Sequence, residues 1–217
     1  MAETDRVSIV ILCKPLVLAK QRLAPRFTPV ERAALAEAML RDLVTAAVDA
    51  RSAAEVTVQS SDCEVGRIAR EMGADWRPEA ADQGLNTAAA YALEHARQHG
   101  DRRLILLPAD LPCARGTDID RLARLGPAAG VRARDGGTNA LLLDPSKPFD
   151  FHYGPGSFAD HMAEAMRNGS PLRCLFGSRL IDDIDTPAAV GRLVHARPGM
   201  ATAAFLAGRT ILTERVA

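Results

Sequence analysis

The decapeptide from Arg103 to Pro112, RLILLPADLP, contains the clearest strand pattern in this chain of 217 residues. Residues 104–107 form an apolar run, which Pro108 ends. A run this short, apolar on both faces, is typical of a central strand in a parallel sheet covered by helices. Pro108 cannot donate a ladder hydrogen bond, so Asp110 is expected just beyond the strand's carboxyl end. Ligands of open α/β sheets bind at that edge, where Asp110 can hold a cation against a phosphate. Its alternative role is to cap the next turn.

The composition is that of an ordinary soluble globular protein, with 25% charged residues, 47% apolar residues and no formal net charge. This balance gives no reason to expect nucleic acid or a membrane surface as a partner. The four cysteines are far apart, and the apolar stretch 7–19 is too short to span a bilayer. We therefore expect reduced thiols and a cytoplasmic location. The chain is predicted to form a single domain, 1–217, with no functional interpretation for the tail beyond about Arg197.

A second buried strand is predicted at residues 8–13, and the loop that follows it is basic. Lys14, Lys20 and Arg22 lie there with few acids nearby. Such a loop at the carboxyl end of a strand can clamp a triphosphate, because cations stabilise the charge that builds up during phosphoryl transfer. The alternative is that these side chains are merely solvated. The loop has neither the Walker A pattern nor the Rossmann glycine fingerprint.

A long amphipathic helix is predicted after this loop. Thr28 and Glu31 have the spacing of a capping box, with Pro29 at the first helical position. Apolar residues then recur at helical spacing and predict a face that packs on the core. The polar residues between them are expected to point outward: Arg41, Asp42 and Asp49.

The segment 83–87, QGLNT, precedes a helix predicted at residues 88–99. Asn86 is a candidate N-cap of that helix, which would be a purely structural role. The same geometry allows a functional role, since free N–H groups at a helix start favour a nucleotide phosphate or a base edge.

Two glycine loops follow in the second half of the chain, at residues 135–139 (DGGTN) and 153–158 (YGPGSF). Adjacent glycines can bring backbone N–H groups close to an anion, although the first loop is also typical of a plain hairpin turn. In the second loop, Ser157 is a candidate N-cap for a helix at residues 158–167. The first N–H groups of that helix can hold a phosphate or a carboxylate. His161 lies one turn into it.

A candidate metal site comes from acids that are distant in sequence. Asp183 and Asp185 are two residues apart, so in an extended segment both carboxylates point to one side. Together with Asp110 they would form a cluster of hard oxygen ligands suited to Mg²⁺. The run Asp185-Thr186-Pro187 is also typical of a helix start, and the two roles are compatible.

These segments, in this order, resemble the 2-phospho-L-lactate or phosphoenolpyruvate guanylyltransferase family of deazaflavin coenzyme F-420 biosynthesis. The resemblance covers roughly residues 7–194. Its most specific parts are the two glycine loops at this spacing. The matching segments are residues 14–15, 19–23, 84–86, 107–112, 136–141, 153–158 with His161, and 183–187.

The resemblance implies an α/β fold, a three-layer αβα sandwich around a mixed, mainly parallel sheet. This is the Rossmann-like nucleotide-diphospho-sugar transferase fold of GT-A type. It also implies Mg²⁺, as two ions, and a set of binding roles. Asp110, Asp183 and Asp185 would hold the metal. Lys14, Lys20 and Arg22, with Asp110, would act on the GTP phosphates. Gly84 and Asn86 would contact the nucleoside. The acceptor's carboxylate or phosphate would be bound by Thr138, Gly154 and Ser157.

The reaction implied by the resemblance joins GMP from GTP to a small phosphorylated carboxylic acid and releases pyrophosphate. The acceptor would be phosphoenolpyruvate, 2-phospho-L-lactate or 3-phosphoglycerate. A phosphate monoester with a second pKa of about 6 is already mostly a dianion at neutral pH, so no general base is required. A downstream transferase that takes the labile product would be a further partner.

Three other interpretations of the sequence remain. One is a molybdenum-cofactor or sugar-phosphate nucleotidyltransferase, although the glycine loop at residues 154–157 suits a small acid better than a pterin. The second is a non-catalytic protein that binds GTP or a phosphoester. The third is a plain α/β domain whose glycine turns are structural, which the joint order of the motifs disfavours.

Overall fold

The computed structural model describes residues 6–80 and 83–213. The described residues form seven strands and seven α-helices. In chain order these are β1 (Val7–Leu12), α1 (Pro29–Val48), β2 (Ala53–Ser60), α2 (Cys63–Glu71), β3 (Asp75–Pro78), α3 (Leu85–His99), β4 (Leu104–Pro108), α4 (Gly116–Ala123), β5 (Ala129–Arg132), β6 (Thr138–Leu143), α5 (Ser157–Arg167), β7 (Arg173–Cys174), α6 (Pro187–Ala196) and α7 (Met200–Thr213). Short 3-10 turns lie at Leu16–Leu18, Gln21–Leu23 and Arg179–Ile181.

The strands form one mixed sheet in the order β3-β2-β1-β4-β6-β5-β7. All neighbouring pairs are parallel except the two that β6 makes with β4 and β5. The predicted central strand is β4, which pairs with β1 on one side and with β6 on the other. The prediction of a mixed, mainly parallel sheet is confirmed.

Helices cover both faces of this sheet, as the apolar runs in its central strands require. Along β4, Ile105 and Leu107 pack into the core that contains α1, α2 and α4. Leu104 and Leu106 point to the other face and pack with α3 and α5. The predicted three-layer arrangement is therefore confirmed.

The capping box of α1 is present, with Thr28 accepting from the Glu31 amide and the Glu31 side chain accepting from the Thr28 amide. The prediction that Asp42 points outward is wrong. Asp42 is buried, and its carboxylate accepts hydrogen bonds from the backbone amides of Ala201 and Thr202, both at 2.9 Å. The first amides of a helix have no partner within the helix, so those of α7 are free to donate to the buried Asp42 carboxylate. The sequence had given no functional interpretation for the tail that contains α7.

Two predicted N-caps are also wrong. The N-cap of α3 is Gly84 and not Asn86, which is the second residue of the helix. The N-cap of α5 is Gly156 and not Ser157, which is its first residue. Both capping glycines have positive φ, 86° and 75°, a conformation that a residue with a Cβ resists.

The loops predicted to carry the functional residues lie at one edge of the sheet. β1 and β4 are parallel, so their carboxyl ends lie together, and the Ala109 amide donates to the Leu12 carbonyl at 3.0 Å. β6 runs in the opposite direction, which brings its first residue, Thr138, to the same edge. The basic loop, Asp110 and the first glycine loop are therefore neighbours in space.

The cysteines Cys13, Cys63, Cys113 and Cys174 are all free thiols, as predicted. Burial raises the pKa of the Cys13 thiol to about 12. Burial and the negative charge of Asp182 raise the pKa of the Cys113 thiol to about 11. Neither residue is therefore a thiolate near neutral pH. In the part of the chain that the structure describes, no helix combines the length and the apolar character needed to cross a membrane.

Candidate active site

A cleft of about 360 Å³ opens at this edge of the sheet. Its walls come from the ends of β1 and β4, the loop after β1, α1, the start of α3 and the segment before α6. Five of the predicted site residues line it: Lys14, Lys20, Arg22, Asp110 and Asp185. The cleft therefore unites the basic loop with two of the three acids proposed for metal binding.

Lys20 is the residue that joins the two acids. Its ammonium lies 2.8 Å from a carboxylate oxygen of Asp110 and 2.8 Å from one of Asp185, and its side chain is only 7% exposed. The Lys20 backbone is left-handed, with φ of 57°. A residue with a Cβ adopts this conformation at a cost of roughly 1 kcal/mol. The two short ion pairs hold the Lys20 side chain in place on this backbone.

Burial and ion pairing shift the pKa values of Lys20 and Asp185 in opposite directions. Burial alone would lower the pKa of Lys20, but the charges of Asp110 and Asp185 outweigh it, and the pKa is raised. Burial would raise the pKa of Asp185, but Lys20, and then Arg22 and Lys14, lower it. The ammonium and the Asp185 carboxylate are therefore both charged at neutral pH.

The other cations of the basic loop are freer to reach a ligand. Lys14 is exposed on the cleft wall, and Arg22 is 69% exposed with a guanidinium nitrogen 3.9 Å from Asp185. The loop itself is anchored, because the Leu16 amide donates to the Asp62 carboxylate at 3.1 Å. An anchored loop with several exposed cations suits a polyanion better than a single small anion.

Asp183 occupies the next position along this edge, beside β6. Its carboxylate accepts a hydrogen bond of 3.3 Å from the Asn139 side chain, whose amide also donates to the Leu180 carbonyl at 2.9 Å. Burial, followed by the negative charge of Asp110, raises the pKa of Asp183. Asp183 is thus close enough to Asp110 for that charge to affect its pKa. Unlike Asp185, it does not contact Lys20.

The predicted magnesium site can be tested for chemical fit. One carboxylate oxygen of Asp110, Oδ1, is buried without a hydrogen-bond partner, a costly arrangement that a cation would relieve. Carboxylate oxygens are the ligands that Mg²⁺ prefers, and all three predicted ligands are carboxylates. No three acidic, histidine or cysteine side chains of residues 6–80 and 83–213 are grouped closely enough to ligate a metal together. The donor chemistry fits Mg²⁺, and the site remains a prediction.

A second polar group lies at the two glycine loops. The hydroxyl oxygens of Thr138 and Ser157 are 3.0 Å apart, and both residues are buried. The Phe158 amide donates to the Gly136 carbonyl at 3.2 Å, so the two loops are linked directly. The sequence prediction that Thr138 and Ser157 belong to one site is consistent with this contact. The alternative prediction of a hairpin is also confirmed, because β5 and β6 are paired antiparallel.

The backbone amides at the start of α5 already have partners. The amides of Ser157 and Ala159 donate to the carbonyls of Gly154 and Gly156, at 3.2 and 3.1 Å, and that of Phe158 is the amide linked to the other loop. These three N–H groups, which the sequence predicted as anion donors, are therefore already used in hydrogen bonds within the protein.

Asn86 links the start of α3, whose first residue Leu85 lines the cleft, to the second glycine loop. Its side-chain oxygen accepts from the Tyr153 amide at 2.6 Å, and its side-chain nitrogen lies 3.4 Å from the Tyr153 carbonyl. The second glycine loop is thus fastened to α3. The predicted contacts of Gly84 and Asn86 with a nucleoside stay predictions.

The roles of Asn139 and His161 were not predicted from the sequence. Asn139 orients Asp183, and His161 is fully buried and contacts Thr138. Alternation along a strand could have indicated that Thr138 and Asn139 serve opposite faces. The contact of His161 depends on how α5 packs, for which the sequence contains no local signal.

The chain is similar to known proteins over most of its length. Residues 7–212 match the family model described as "Guanylyl transferase CofC like". A phosphoenolpyruvate guanylyltransferase of Sphaerobacter thermophilus is 36% identical over 193 residues, 87% of this chain and 93% of that protein. A 3-phospho-D-glycerate guanylyltransferase of Phenylobacterium zucineum is 33% identical over 195 residues, 87% of this chain and 89% of that protein.

The fold is also found among solved structures. The crystal structure of a candidate nucleotide-diphospho-sugar transferase from Desulfovibrio desulfuricans G20 superimposes with a TM-score of 0.72 at 16% identity, covering 96% of this chain and 97% of that one. The predicted fold type is thereby confirmed, and the activity implied by the resemblance agrees with the family. The chain belongs to the CofC-like guanylyl transferase family and is a nucleotidyltransferase.

Proposed function

We propose that this protein transfers GMP from GTP to the phosphate of a small phosphorylated carboxylic acid, with release of pyrophosphate. The observation that supports it most directly is the shared contact of Asp110 and Asp185 with the Lys20 ammonium, both at 2.8 Å, inside a cleft that also contains Lys14 and Arg22. Two polyanions meet in such a reaction, and they repel each other unless cations and a fixed geometry bring them together.

The bonds that change define what the residues must do. An oxygen of the acceptor phosphate forms a bond to the α-phosphorus of GTP, and the bond from that phosphorus to the bridging oxygen of the β-phosphate breaks. The electron pair leaves with pyrophosphate. The attacking group is already a dianion near neutral pH, so no protein base is needed. Lys14, Lys20 and Arg22 would neutralise the phosphates, including the charge on the leaving pyrophosphate.

Magnesium belongs to the same proposal. Asp110, Asp183 and Asp185 would hold the ions, and bound Mg²⁺ would supply charge neutralisation between the phosphates. Lys20 already contacts two of these acids, so it would both compensate their charge and keep their orientation. The unpartnered Oδ1 of Asp110 supports a ligand role for this residue.

The acceptor would bind at the hydroxyl pair of Thr138 and Ser157, with Gly154 shaping the loop. Relatives of this chain are named both for phosphoenolpyruvate and for 3-phospho-D-glycerate, which share a phosphate and a carboxylate on a three-carbon frame. Gly84 and Asn86 would lie on the nucleoside side. In coenzyme F-420 biosynthesis, the product would pass to a downstream transferase in the cytoplasm.

The proposal is tested by incubating the protein with GTP, Mg²⁺ and, in separate reactions, phosphoenolpyruvate, 2-phospho-L-lactate and 3-phosphoglycerate. Pyrophosphate release and the mass of the guanylylated product are measured in each reaction, and removal of the metal with a chelator is expected to abolish both. GTP binding without pyrophosphate release for any acid would favour the non-catalytic alternative. Turnover only with a pterin or a sugar phosphate would favour the other nucleotidyltransferase classes.

A further inference from the structure

A line of three buried polar side chains extends from the proposed acceptor site into the core. His161 is fully buried, and Thr138 and Ser157 are 5% and 1% exposed. The Nδ1 atom of His161 lies 2.9 Å from the Thr138 hydroxyl, which lies 3.0 Å from the Ser157 hydroxyl. Burying these three polar side chains costs free energy unless each of their polar atoms has a hydrogen-bond partner.

The tautomer of His161 is determined by the backbone. The amide of His152 donates to Nε2 of His161 at 2.9 Å, and an amide can only donate, so Nε2 must be the acceptor nitrogen. The ring proton is therefore on Nδ1 and is donated to the Thr138 hydroxyl. Burial lowers the pKa of His161 to about 4, so the ring is neutral under ordinary conditions.

The surroundings hold the ring in this orientation. The aromatic rings of Phe149, Phe151 and Tyr153 pack around the imidazole, with centroid separations of 5.7, 6.3 and 5.0 Å. A ring enclosed in this way cannot flip to exchange its two nitrogens without unpacking these neighbours.

The tautomer of His161 decides whether a hydroxyl proton is left for a ligand. Thr138 and Ser157 have one hydroxyl proton each, and the bond between them uses one of the two. If Nδ1 donates, the second hydroxyl proton is left for a ligand. If Nδ1 were instead an acceptor, it would take that second proton, and the pair would offer a ligand only lone pairs. An anion such as phosphate or carboxylate needs a donor.

We propose that His161 is a positioning residue for the acceptor. Held as the Nδ1–H tautomer by the His152 amide, it leaves one hydroxyl proton of the Thr138–Ser157 pair to donate to the anionic group of the phosphorylated acid. This inference depends on the proposed function for the identity of the ligand. His161 does not touch the ligand and acts through Thr138.

Steady-state kinetics of two matched variants test the proposal. His161→Asn keeps an N–H donor near the position of Nδ1, whereas His161→Gln keeps polar atoms only near Nε2. For His161→Gln we expect the KM for the acceptor acid to rise about tenfold, with kcat and the KM for GTP within about twofold of wild type. The Thr138 oxygen loses the donor that fixes the direction of the hydroxyl chain, so the spare proton is no longer aimed at the ligand. His161→Asn should restore most of the acceptor KM. His99→Gln, at an exposed histidine of α3, is the control.

Two results would overturn the inference. One is an equal effect of the Asn and Gln variants on both substrates, which would indicate a packing role. The other comes from the unaltered protein, by ¹⁵N-detected NMR of the histidine rings with His161 assigned: a proton on Nε2 would contradict the mechanism even if every variant misfolded. If the wild type releases no pyrophosphate with any phosphorylated acid, the proposed function fails, whereas the NMR result still decides the tautomer.

Discussion

Lys20 and Asp110, separated by 90 positions in the chain, form an ion pair of 2.8 Å in the cleft. The same ammonium reaches Asp185, which is 165 positions away. The basic loop and the acids are thus one electrostatic unit. Substitutions on either side should affect both metal binding and the handling of the nucleotide.

Asp110→Asn should abolish Mg²⁺-dependent pyrophosphate release while the protein stays folded. The amide is nearly isosteric, but it removes the charge and one oxygen ligand, and a loss of at least about 100-fold in kcat/KM is expected for such a group. Pyrophosphate release and far-UV circular dichroism are measured together. Turnover like that of the wild type would remove Asp110 from the mechanism.

Lys20→Gln leaves Asp110 and Asp185 without their ammonium. We expect slower turnover and a modest loss of stability, on the order of 1–2 kcal/mol, because Asp185 is 45% exposed and water screens much of the pair. Millimolar Mg²⁺ should raise the melting temperature of this variant more than that of the wild type, since the ammonium no longer compensates the acids. Thermal melts with and without Mg²⁺ measure this.

The control for that variant is Lys147→Gln, which alters an exposed lysine away from the cleft. Its melting temperature should respond to Mg²⁺ as that of the wild type does. If both variants respond to Mg²⁺ like the wild type, the ion does not bind at the acids that contact Lys20.

Asn86→Ala tests whether Asn86 acts on the acceptor loop or on the nucleoside. Loss of the 2.6 Å bond to the Tyr153 amide should loosen the second glycine loop. The expected result is a rise of about three- to tenfold in the KM for the acceptor acid, the cost of one hydrogen bond. A rise confined to the KM for GTP would instead support the nucleoside contact predicted from the sequence. Thr87→Ala, at the next exposed position of α3, is the matched control.

Asp42→Ala should destabilise the protein without changing the KM of either substrate. The carboxylate accepts from two amides at the start of α7, and loss of such a cap costs about 1–2 kcal/mol. Urea unfolding of this variant and of Asp49→Ala, an exposed acid near the end of the same helix α1, provides the comparison. Equal midpoints would show that α7 contributes little to folding.

Stability should fall as the pH drops from about 6.5 toward 4, in part because of His161. The pKa of this ring is lowered to about 4 in the folded protein, mainly by burial, so between these pH values the unfolded chain binds the proton more readily. The contribution lost by pH 4.5 is on the order of 2 kcal/mol. Urea unfolding of the wild type and of His161→Gln at pH 7 and pH 4.5 should show a smaller pH effect in the variant. An identical pH effect would contradict the shift.

Much of the fold could be predicted because its signals are local. The apolar run in β4 and the Thr28–Glu31 capping box each depend on residues within a few positions of one another. The N-caps were harder to predict: Asn86 and Ser157 are good capping residues by type, but glycines with positive φ occupy those positions because both loops turn sharply before the helix. The grouping of Asp110, Asp183 and Asp185 at one metal stays a prediction, and the structure brings two of these acids, Asp110 and Asp185, together on Lys20.

By itself, the amino-acid sequence determined which chemical groups this protein has and at which ends of which strands they lie, because strand and helix periodicity is a property of neighbouring residues. Only the tertiary structure decided which groups touch. The contact of Lys20 with both Asp110 and Asp185, the burial of Asp42 under α7 and the tautomer of His161 all depend on atoms brought together from distant parts of the chain. Such contacts follow from packing the helices on the two faces of the sheet, a condition that no local pattern of residues encodes.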